Sequence, residues 1–300
     1  MWTAMGCARL YARRGPDVSP RRNFAHGRQS RTIPMCLILL AWEKHPRWRL
    51  VVAANRDEFH ARPTAAAQWW PNAPELLAGR DLKEGGTWLG VTRSGRFAAV
   101  TNVREPQRYR VGAPSRGFLP GNFLLSRAPS LAYLAQLMPI AQGYNGFNLL
   151  VMDGNTLAYF SNRSPAMRTL SPGIYGVSNH LLDTPWPKVT HGKDDLRAAL
   201  ELEDDKAIEA ALFGSLARRD PAPDAQLPAT GVGEERERAL SSAFIVTPEY
   251  GTRSSTIVLM GRDGEVRLIE RTTNLPEADG YAEARHAFRI GEPAPAAPTA

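Results

Sequence analysis

Short apolar runs along the chain predict pairs of β-strands joined by tight turns. CLILLAW and RLVVAANRD flank a charged turn that contains proline, and TWLGVTRSGRFAAVTNV contains a second pair around 94–95. FNLLVMDGNTLAYFSN predicts a third hairpin with its turn at 153–155. GIYGVSN is a further short strand. STIVLMG and EVRLIERT, joined around 262–264, are the last two strands that the pattern predicts.

Helical spacing appears in four segments between these strands. They are 115–127, 130–140, 188–201 and 204–218, and Ser130 is the predicted N-cap of the second. The segment 221–233 is rich in proline and glycine and predicts a loop. Antiparallel strands in blocks, interrupted by helix pairs, indicate an α+β fold rather than alternating βαβ units.

The composition predicts a soluble globular protein. Hydrophobic residues make up 43% of the 300 positions and charged residues 22%. The longest clean apolar run, Met35 to Trp42, is far shorter than the roughly 18–20 residues needed to span a bilayer. We expect one domain over 35–290 and a disordered tail over 291–300.

Residues 1–34 differ from the rest of the chain. They hold seven arginines and one acid, and so contribute +6 of the net charge of +7. Without apolar periodicity they are predicted to be disordered. They partly resemble an organellar transit peptide, or translation starts at Met35, which is the interpretation we favour. The nearly neutral remainder lacks a footprint for nucleic acid, so nucleic-acid binding would require the leader to be real.

The cysteines and motifs exclude several classes of site. Cys7 and Cys36 are the two cysteines, which is too few for a disulfide framework, and no spacing suggests zinc. The phosphate-loop, dinucleotide, serine-elbow and HExxH motifs are absent from the sequence. We therefore expect no metal or cofactor. We also expect a reducing compartment, which is the cytoplasm, or an organelle if the leader is a transit peptide.

Four polar clusters lie where predicted strands end. They are 55–58, 101–102, 178–179 and 251–255. Strand ends hold side chains rigidly and are common places for a site. Each cluster alone also fits a turn or a strand cap.

Six segments carry a family resemblance. NRDEF with RPT after it, LAGRDLKEGGTWLGVTRSGRFAAVTN, YNGFNLL, GIYGVSN, LLDTPWPKV and YGTRSST resemble the NRDE family, which includes the transport and Golgi organisation 2 proteins. The resemblance runs from Met35 to about Thr273, and family members begin Met-Cys, as this chain reads from Met35. It implies a four-layer αββα sandwich of two antiparallel sheets, like that of the N-terminal nucleophile hydrolases. Cys36 would be the nucleophile after removal of Met35.

The implied chemistry is consistent with elementary acid–base properties. An α-amino group has a pKa of about 7.7–8.0 and a thiol of about 8.5, so the amine can take the thiol proton. A guanidinium favours the thiolate, a carboxylate holds the ammonium, and side-chain N–H groups stabilise an oxyanion. The resemblance implies a catalytic set of Cys36, Arg56, Asp57, Asn102, Asn179 and Arg253, with substrate-binding residues Asn55, Glu58, Trp88 and Asn145.

Two functions are predicted. The first is hydrolysis or acyl transfer at an amide or thioester through Cys36, which fails if residues 1–34 remain attached. The alternative is a non-catalytic binding or trafficking protein for a lipid, an acyl-CoA or a haem, with Cys36 as a thiolate ligand. In either case the ligand is a small molecule, apolar or containing an acyl group, and the oligomeric state stays open.

Overall fold

The computed structural model describes residues 36–274 and 278–293. The predicted leader and most of the predicted tail lie outside the described residues. Within these ranges the strands are β1 Cys36–Trp42, β2 Trp48–Phe59, β3 Thr64–Trp70, β4 Ala73–Asp81, β5 Leu89–Thr92, β6 Phe97–Asn102, β7 Phe147–Met152, β8 Leu157–Ser161, β9 Arg168–Thr169, β10 Gly173–Val177, β11 Tyr250–Gly261, β12 Glu265–Thr273 and β13 Tyr281–Arg289. The α-helices are α1 Phe118–Leu125, α2 Ser130–Leu137, α3 Pro187–Ala199, α4 Asp205–Leu216 and α5 Glu234–Ala239.

Two sheets are formed by the described strands, and every pairing in them is antiparallel. The first has the order β10-β1-β2-β11-β12-β13, and the second runs from β3 to β9 in chain order. In the first sheet β1 lies between β2, which follows it directly in the sequence, and β10, which is distant in the sequence. This arrangement brings the start of β1 beside the ends of β2 and β10.

Three apolar cores define four layers. Leu40 and Val52 of the first sheet pack with Val91 and Leu150 of the second, which fills the space between the sheets. A second core joins the outer face of the first sheet to α3 and α4. A third joins the outer face of the second sheet to α1 and α2. The predicted α+β fold, with two antiparallel sheets between helical layers, is confirmed.

Side chains of β1 alternate between two of these cores. Ile38 and Leu40 face the second sheet, whereas Leu37 and Leu39 face the helices. Successive side chains of a strand point to opposite faces, and both faces of this strand are covered. This explains why the sequence there is continuously apolar. The same alternation directs Cys36 toward the space between the sheets.

Most predicted elements are present, but the structure adds elements that were not predicted and changes one helix cap. The strands β3, β4, β9 and β13 and the helix α5 were not predicted. Because β13 follows β12, the expectation that the chain's strands end with EVRLIERT was wrong. The N-cap of α2 is Pro129, not Ser130, whose hydroxyl donates to the Thr156 carbonyl instead. No helix of the described residues is long and apolar enough to cross a membrane.

Candidate functional site

A cavity of about 210 Å³ opens where β1 begins and where β2 and β6 end. Its wall is completed by residues of the segment 103–117, which lies between β6 and α1. Most of the lining side chains are polar or charged. The lining consists of Cys36, Arg56, Asp57, Glu58, Arg62, Asp81, Glu84, Thr87, Trp88, Val100, Asn102, Tyr109, Ala113, Pro114, Ser115, Arg116, Gly117 and Asn145.

The backbone of Cys36 is fixed by the residues that follow β10. The Ser178 hydroxyl donates to the Cys36 carbonyl at 2.8 Å. The Cys36 N–H donates to Oδ1 of Asn179 at 3.4 Å. On its other side Cys36 is paired in register with Arg56 of β2. The nitrogen of Cys36 is thus held in one orientation beside the cavity.

Electrostatics keep the Cys36 thiol protonated in this chain. Burial raises its pKa to about 12, and the negative charge of Asp57 acts in the same direction. The Arg56 guanidinium and the backbone N–H of Asp57 oppose this shift without reversing it. A buried thiol of this kind is inert at neutral pH unless a base removes its proton. The Cys36 thiol would therefore react at neutral pH only with a base close to it.

Asp57 is a fully buried carboxylate with one oxygen that lacks a partner. Its Oδ1 accepts a hydrogen bond from the Thr252 hydroxyl at 2.6 Å. Its Oδ2 has no hydrogen-bond partner in the described part of the chain. Burial raises the pKa of Asp57 to about 6, although Lys188, Thr252 and Arg56 favour the charged form. A buried acceptor without a partner is costly, and such exceptions in native proteins are associated with functional sites.

Lys188 supplies a buried positive charge near Asp57 that the sequence analysis missed. It lies in the first turn of α3, and its Nζ donates to the carbonyls of Leu240 at 2.9 Å and Ser242 at 3.4 Å. Burial lowers its pKa to about 8, and Asp57 acts against that shift. The sequence offered one indication of this residue, because Lys188 is the lysine of the LLDTPWPKV segment that carries the family resemblance.

Arg56 is held between an aromatic ring and a carboxylate. Its guanidinium lies 4.3 Å from the centre of the Trp88 ring, and its Nη2 is 3.6 Å from Oε2 of Glu58. Glu58 also lies 3.5 Å from Arg62. The Trp88 ring can occupy this position because residue 79 is a glycine. A Cβ on Gly79 would lie 2.3 Å from the ring. Three predicted residues, Arg56, Glu58 and Trp88, therefore share one wall of the cavity.

The two predicted asparagines have different positions. Asn102 lines the cavity at the end of β6. Asn179 is completely buried, and its Nδ2 donates to the backbone carbonyl of Asn102 at 3.0 Å. Because Oδ1 of Asn179 accepts from the Cys36 N–H, this side chain links the backbone of Cys36 to the end of β6.

The structure does not bring Asn55 and Arg253 to the cavity. Asn55 faces the helices, where its Nδ2 donates to the carbonyls of Leu216 and Ala243. Arg253 lies at a bulge between β11 and β2, and its Nη1 donates to the three carbonyls of Phe59, His60 and Arg62. Alternation along a strand separates Asn55 from Arg56, so proximity in sequence was misleading here.

Asn145 lines the cavity, but its polar atoms are bound to backbone. Its Oδ1 accepts from the Arg110 N–H at 2.8 Å, and its Nδ2 donates to the Arg110 carbonyl at 3.0 Å. It therefore anchors the segment between β6 and α1. Arg116, from that same segment, is a cavity residue that the sequence analysis missed.

The described residues contain no cluster of three or more His, Cys, Asp or Glu side chains arranged to hold a metal ion. Within them Cys36 is a free thiol. The arrangement is instead that of a thiol surrounded by a buried carboxylate, guanidinium groups and amides.

Comparison with known proteins gives consistent family matches. The family model described as Transport and Golgi organisation 2 matches residues 35–274. The chain is 37% identical over 279 residues to the Transport and Golgi organization protein 2 homolog of Bos taurus, covering 85% of this chain and 99% of that one. It is 39% identical over 258 residues to the Homo sapiens homolog, covering 79% and 93%.

One solved structure is similar at a low level. The Caenorhabditis elegans ortholog of N-acylethanolamine-hydrolyzing acid amidase aligns at a TM-score of 0.43 and 8% identity, covering 75% of this chain and 92% of that chain. A likeness this low supports no conclusion about the site. The family model and the two homologs, by contrast, cover most of this chain, and the chain belongs to the Transport and Golgi organisation 2 family.

Proposed function

We propose that the cavity is the active site of a hydrolase or acyl transferase that cleaves an amide or thioester, with Cys36 as nucleophile at the N-terminus of the mature chain. The observation that carries this proposal is the partnerless Oδ2 of buried Asp57 beside Cys36. A free α-amino group on Cys36 would supply the hydrogen-bond donor that this oxygen lacks. Oδ1 of Asn179 already accepts a hydrogen bond from the Cys36 nitrogen.

The reaction follows from these contacts. The amine takes the thiol proton, and the thiolate attacks the substrate carbonyl to form a tetrahedral intermediate. The Asn102 side chain donates to the developing oxyanion, a role worth about 3–4 kcal/mol per donor. The C–N or C–S bond then breaks, and the ammonium returns its proton to the leaving amine or thiolate.

The second half of the reaction regenerates the enzyme. The first half leaves a thioester between Cys36 and the acyl group. Water, or an acceptor amine, alcohol or thiol, attacks this thioester while the free amine of Cys36 takes its proton. The thiolate leaves, recovers that proton, and the carboxylic acid or the new acyl compound is released.

Two residues take supporting roles in the proposal. Arg56 lies beside Cys36 in the sheet and lowers the pKa of the thiol, which opposes the effect of burial. Asn179 is a positioning residue, because it orients the nitrogen of Cys36 rather than contacting the substrate. Cys36 must remain reduced for this chemistry, so we propose that the protein acts in the cytoplasm.

The alternative, a carrier of a lipid, an acyl-CoA or a haem, is less well supported by this cavity. Its volume of about 210 Å³ is below the roughly 300–1,000 Å³ of typical sites for drug-sized ligands. Four carboxylates line it, which disfavours an apolar occupant. The same volume is also too small for the macrocycle of a haem.

The test is turnover by a chain that begins at Cys36, released from a cleavable N-terminal fusion partner. It should hydrolyse members of a panel of short acyl amides and thioesters. Cys36→Ala and a chain that begins at Met35 should be inactive while retaining the fold by circular dichroism. A Met35 chain as active as the Cys36 chain would refute the N-terminal mechanism. Absence of turnover across the panel, with ligand binding retained in Cys36→Ala, would favour a carrier.

A further inference from the structure

We propose that Arg116 binds a carboxylate group of the substrate and so selects small anionic acyl compounds for this cavity. This inference takes the cleavage of an amide or thioester at Cys36 from the proposed function. Its test measures binding and does not depend on turnover. Three observations support it: the lack of an ion-pair partner for Arg116, the rigidity of the segment that carries it, and the small volume shared with Cys36. The acidic lining decides which kind of anion is accepted.

Arg116 is a cavity arginine without an ion-pair partner among the described residues. Its Nη1 donates to the Gly146 carbonyl at 3.0 Å, and no described Asp or Glu forms an ion pair with it. In contrast, Arg62 pairs with Asp81 at 2.5 Å and with Glu58 at 3.5 Å. Burial lowers the pKa of Arg116 to about 10, although the negative charges of Glu58 and Glu105 favour its charged form. Neither carboxylate forms an ion pair with it, so the guanidinium lacks a carboxylate partner in direct contact. An anionic ligand would supply that partner.

The segment that carries Arg116 is held at both ends. Asn145 forms two hydrogen bonds with the backbone of Arg110. Beyond Arg116, the Thr87 N–H donates to the Gly117 carbonyl at 3.0 Å. Gly86 approaches Gly117 so closely that a Cβ on Gly86 would lie 2.6 Å from the Gly117 carbonyl carbon. The guanidinium is therefore presented by a fixed backbone, as a selective binding site requires.

The acidic lining favours a carboxylate over a phosphate. Asp57, Glu58, Asp81 and Glu84 also line the cavity. They repel a dianion more strongly than a monoanion, and one guanidinium can neutralise only one charge. A guanidinium and a carboxylate form two parallel charge-assisted hydrogen bonds, which combine affinity with orientation.

The volume limits the size of the substrate. Cys36 and Arg116 line the same cavity of about 210 Å³. The negative charge of a Cys36 thiolate favours the charged form of Arg116, which indicates that the two side chains are near each other. One small molecule can therefore present its carbonyl to Cys36 and its carboxylate to Arg116. The substrate class is an acyl compound with a short acyl chain and a carboxylate on a short spacer.

The experiment measures binding to the Cys36→Ala chain that begins at residue 36. The probes are the N-butanoyl derivatives of glycine, β-alanine and γ-aminobutyrate, each compared with its uncharged carboxamide by calorimetry. At least one carboxylate should bind about tenfold more tightly than its carboxamide, because a charge-assisted pair replaces a neutral one. Equal affinities for all three pairs would overturn the proposal.

Variants assign the preference to Arg116. In the same Cys36→Ala background, Arg116→Gln should abolish the preference for the carboxylate, whereas Arg116→Lys should keep part of it. Arg108→Gln, which removes the same charge from an exposed side chain of the same segment, should leave the preference unchanged. If Arg116→Gln folds and keeps the full preference, the assignment is wrong. Tighter binding of inorganic phosphate than of any of the carboxylates would also contradict it.

Discussion

Asn179 accepts a hydrogen bond from the backbone nitrogen of Cys36 at 3.4 Å, although the two residues are 143 positions apart in the sequence. The contact exists because β1 and β10 are neighbours in the first sheet. Ser178 adds a second contact, to the carbonyl of Cys36. The residues that follow β10 thus control the orientation of the group that the proposed mechanism uses as its base.

Replacing this contact should slow catalysis more than it weakens substrate binding. Asn179→Leu keeps the size of the side chain and removes its hydrogen bonds to Cys36 and Asn102. We expect kcat to fall by about 100-fold with a small change in KM, since misplacement of a reacting group by about 1 Å has an effect of that size. Steady-state kinetics of the chain that begins at Cys36 measure both constants.

Asn162→Leu is the matched control for this variant. Asn162 is a buried asparagine that donates to the Ala141 carbonyl and accepts from the Phe147 N–H, and it is not part of the cavity lining. Its loss should reduce stability while leaving kcat nearly unchanged. Equal effects of the two substitutions on kcat would indicate that Asn179 is merely structural.

The pH dependence of activity should report Asp57. Burial raises its pKa to about 6, and the mechanism needs its charged form to hold the ammonium of Cys36. That ammonium would lower the pKa of Asp57 in the active chain, so we expect kcat/KM to fall at a pH below about 6. Asp57→Asn should be slower at neutral pH and should lose this acidic limb. An unchanged limb in Asp57→Asn would assign it to another group.

The same pKa has a consequence for stability. A carboxyl group whose folded-state pKa lies above its ordinary value of about 3.9 binds its proton more tightly in the folded state. The contribution of Asp57 to stability is therefore largest at low pH and is lost as the pH rises from about 4 through about 6. Urea unfolding across that range measures the free energy of unfolding of the native chain and of Asp57→Asn. The difference between these two free energies isolates the contribution of Asp57.

The buried pair of Arg104 and Glu237 should be important for stability. Their side chains are 1% and 4% exposed, and the Arg104 guanidinium also lies 4.8 Å from the centre of the Trp186 ring. Arg104→Ala leaves the Glu237 carboxylate buried without its partner, so we expect a loss of about 3–5 kcal/mol in the free energy of unfolding. Chemical denaturation measures this loss.

An exposed pair provides the comparison. Arg197 and Asp194 form an ion pair with side chains that are 56% and 62% exposed. Arg197→Ala should have little effect, because solvent screens surface pairs. If both arginine variants had the same small effect, burial of the Arg104 pair would not be what stabilises the segment after β6.

The close approach of Gly86 to Gly117 should be essential for the cavity wall. A Cβ on residue 86 would lie 2.6 Å and 2.7 Å from the backbone C and O of Gly117, and backbone atoms cannot move aside cheaply. Gly86→Ala should displace the segment that carries Arg116 and reduce the affinity for the carboxylate probes. Gly121→Ala, in α1, adds its methyl to open space and should leave the affinity unchanged. The two affinities are compared by calorimetry.

The elements predicted correctly are those whose pattern is set by the cores. The strands β1 and β2 are recognisable because both faces of each are buried, as the continuous run from Cys36 to Trp42 shows. By contrast β13 alternates exposed and half-buried residues at an edge, and its charged sequence YAEARHAFR does not look like a strand. Its pairing with β12 is a tertiary effect that local pattern does not contain.

The candidate site was predictable only in part for a similar reason. Cys36, Arg56 and Asp57 stand in recognisable motifs at strand ends, and the structure brings them together. Lys188 and Arg116 have sequences around them that fit any exposed cation. Lys188 matters because it is buried near the Asp57 carboxylate, and Arg116 because it lines the cavity without an ion-pair partner. Both environments are determined by the packing of α3 and of the segment before α1, which the local sequence does not contain.

The pH dependence of Cys36 alkylation by iodoacetamide tests most directly whether the residue's own amine is the base for its thiol. Chains that begin at Cys36 and at Met35 would be compared, with the modified residue identified by peptide mass. The chain that begins at Cys36 should react with an apparent thiol pKa of roughly 8 or lower. The Met35 chain should react only as the pH approaches about 12. Identical profiles for the two chains would contradict the proposed mechanism.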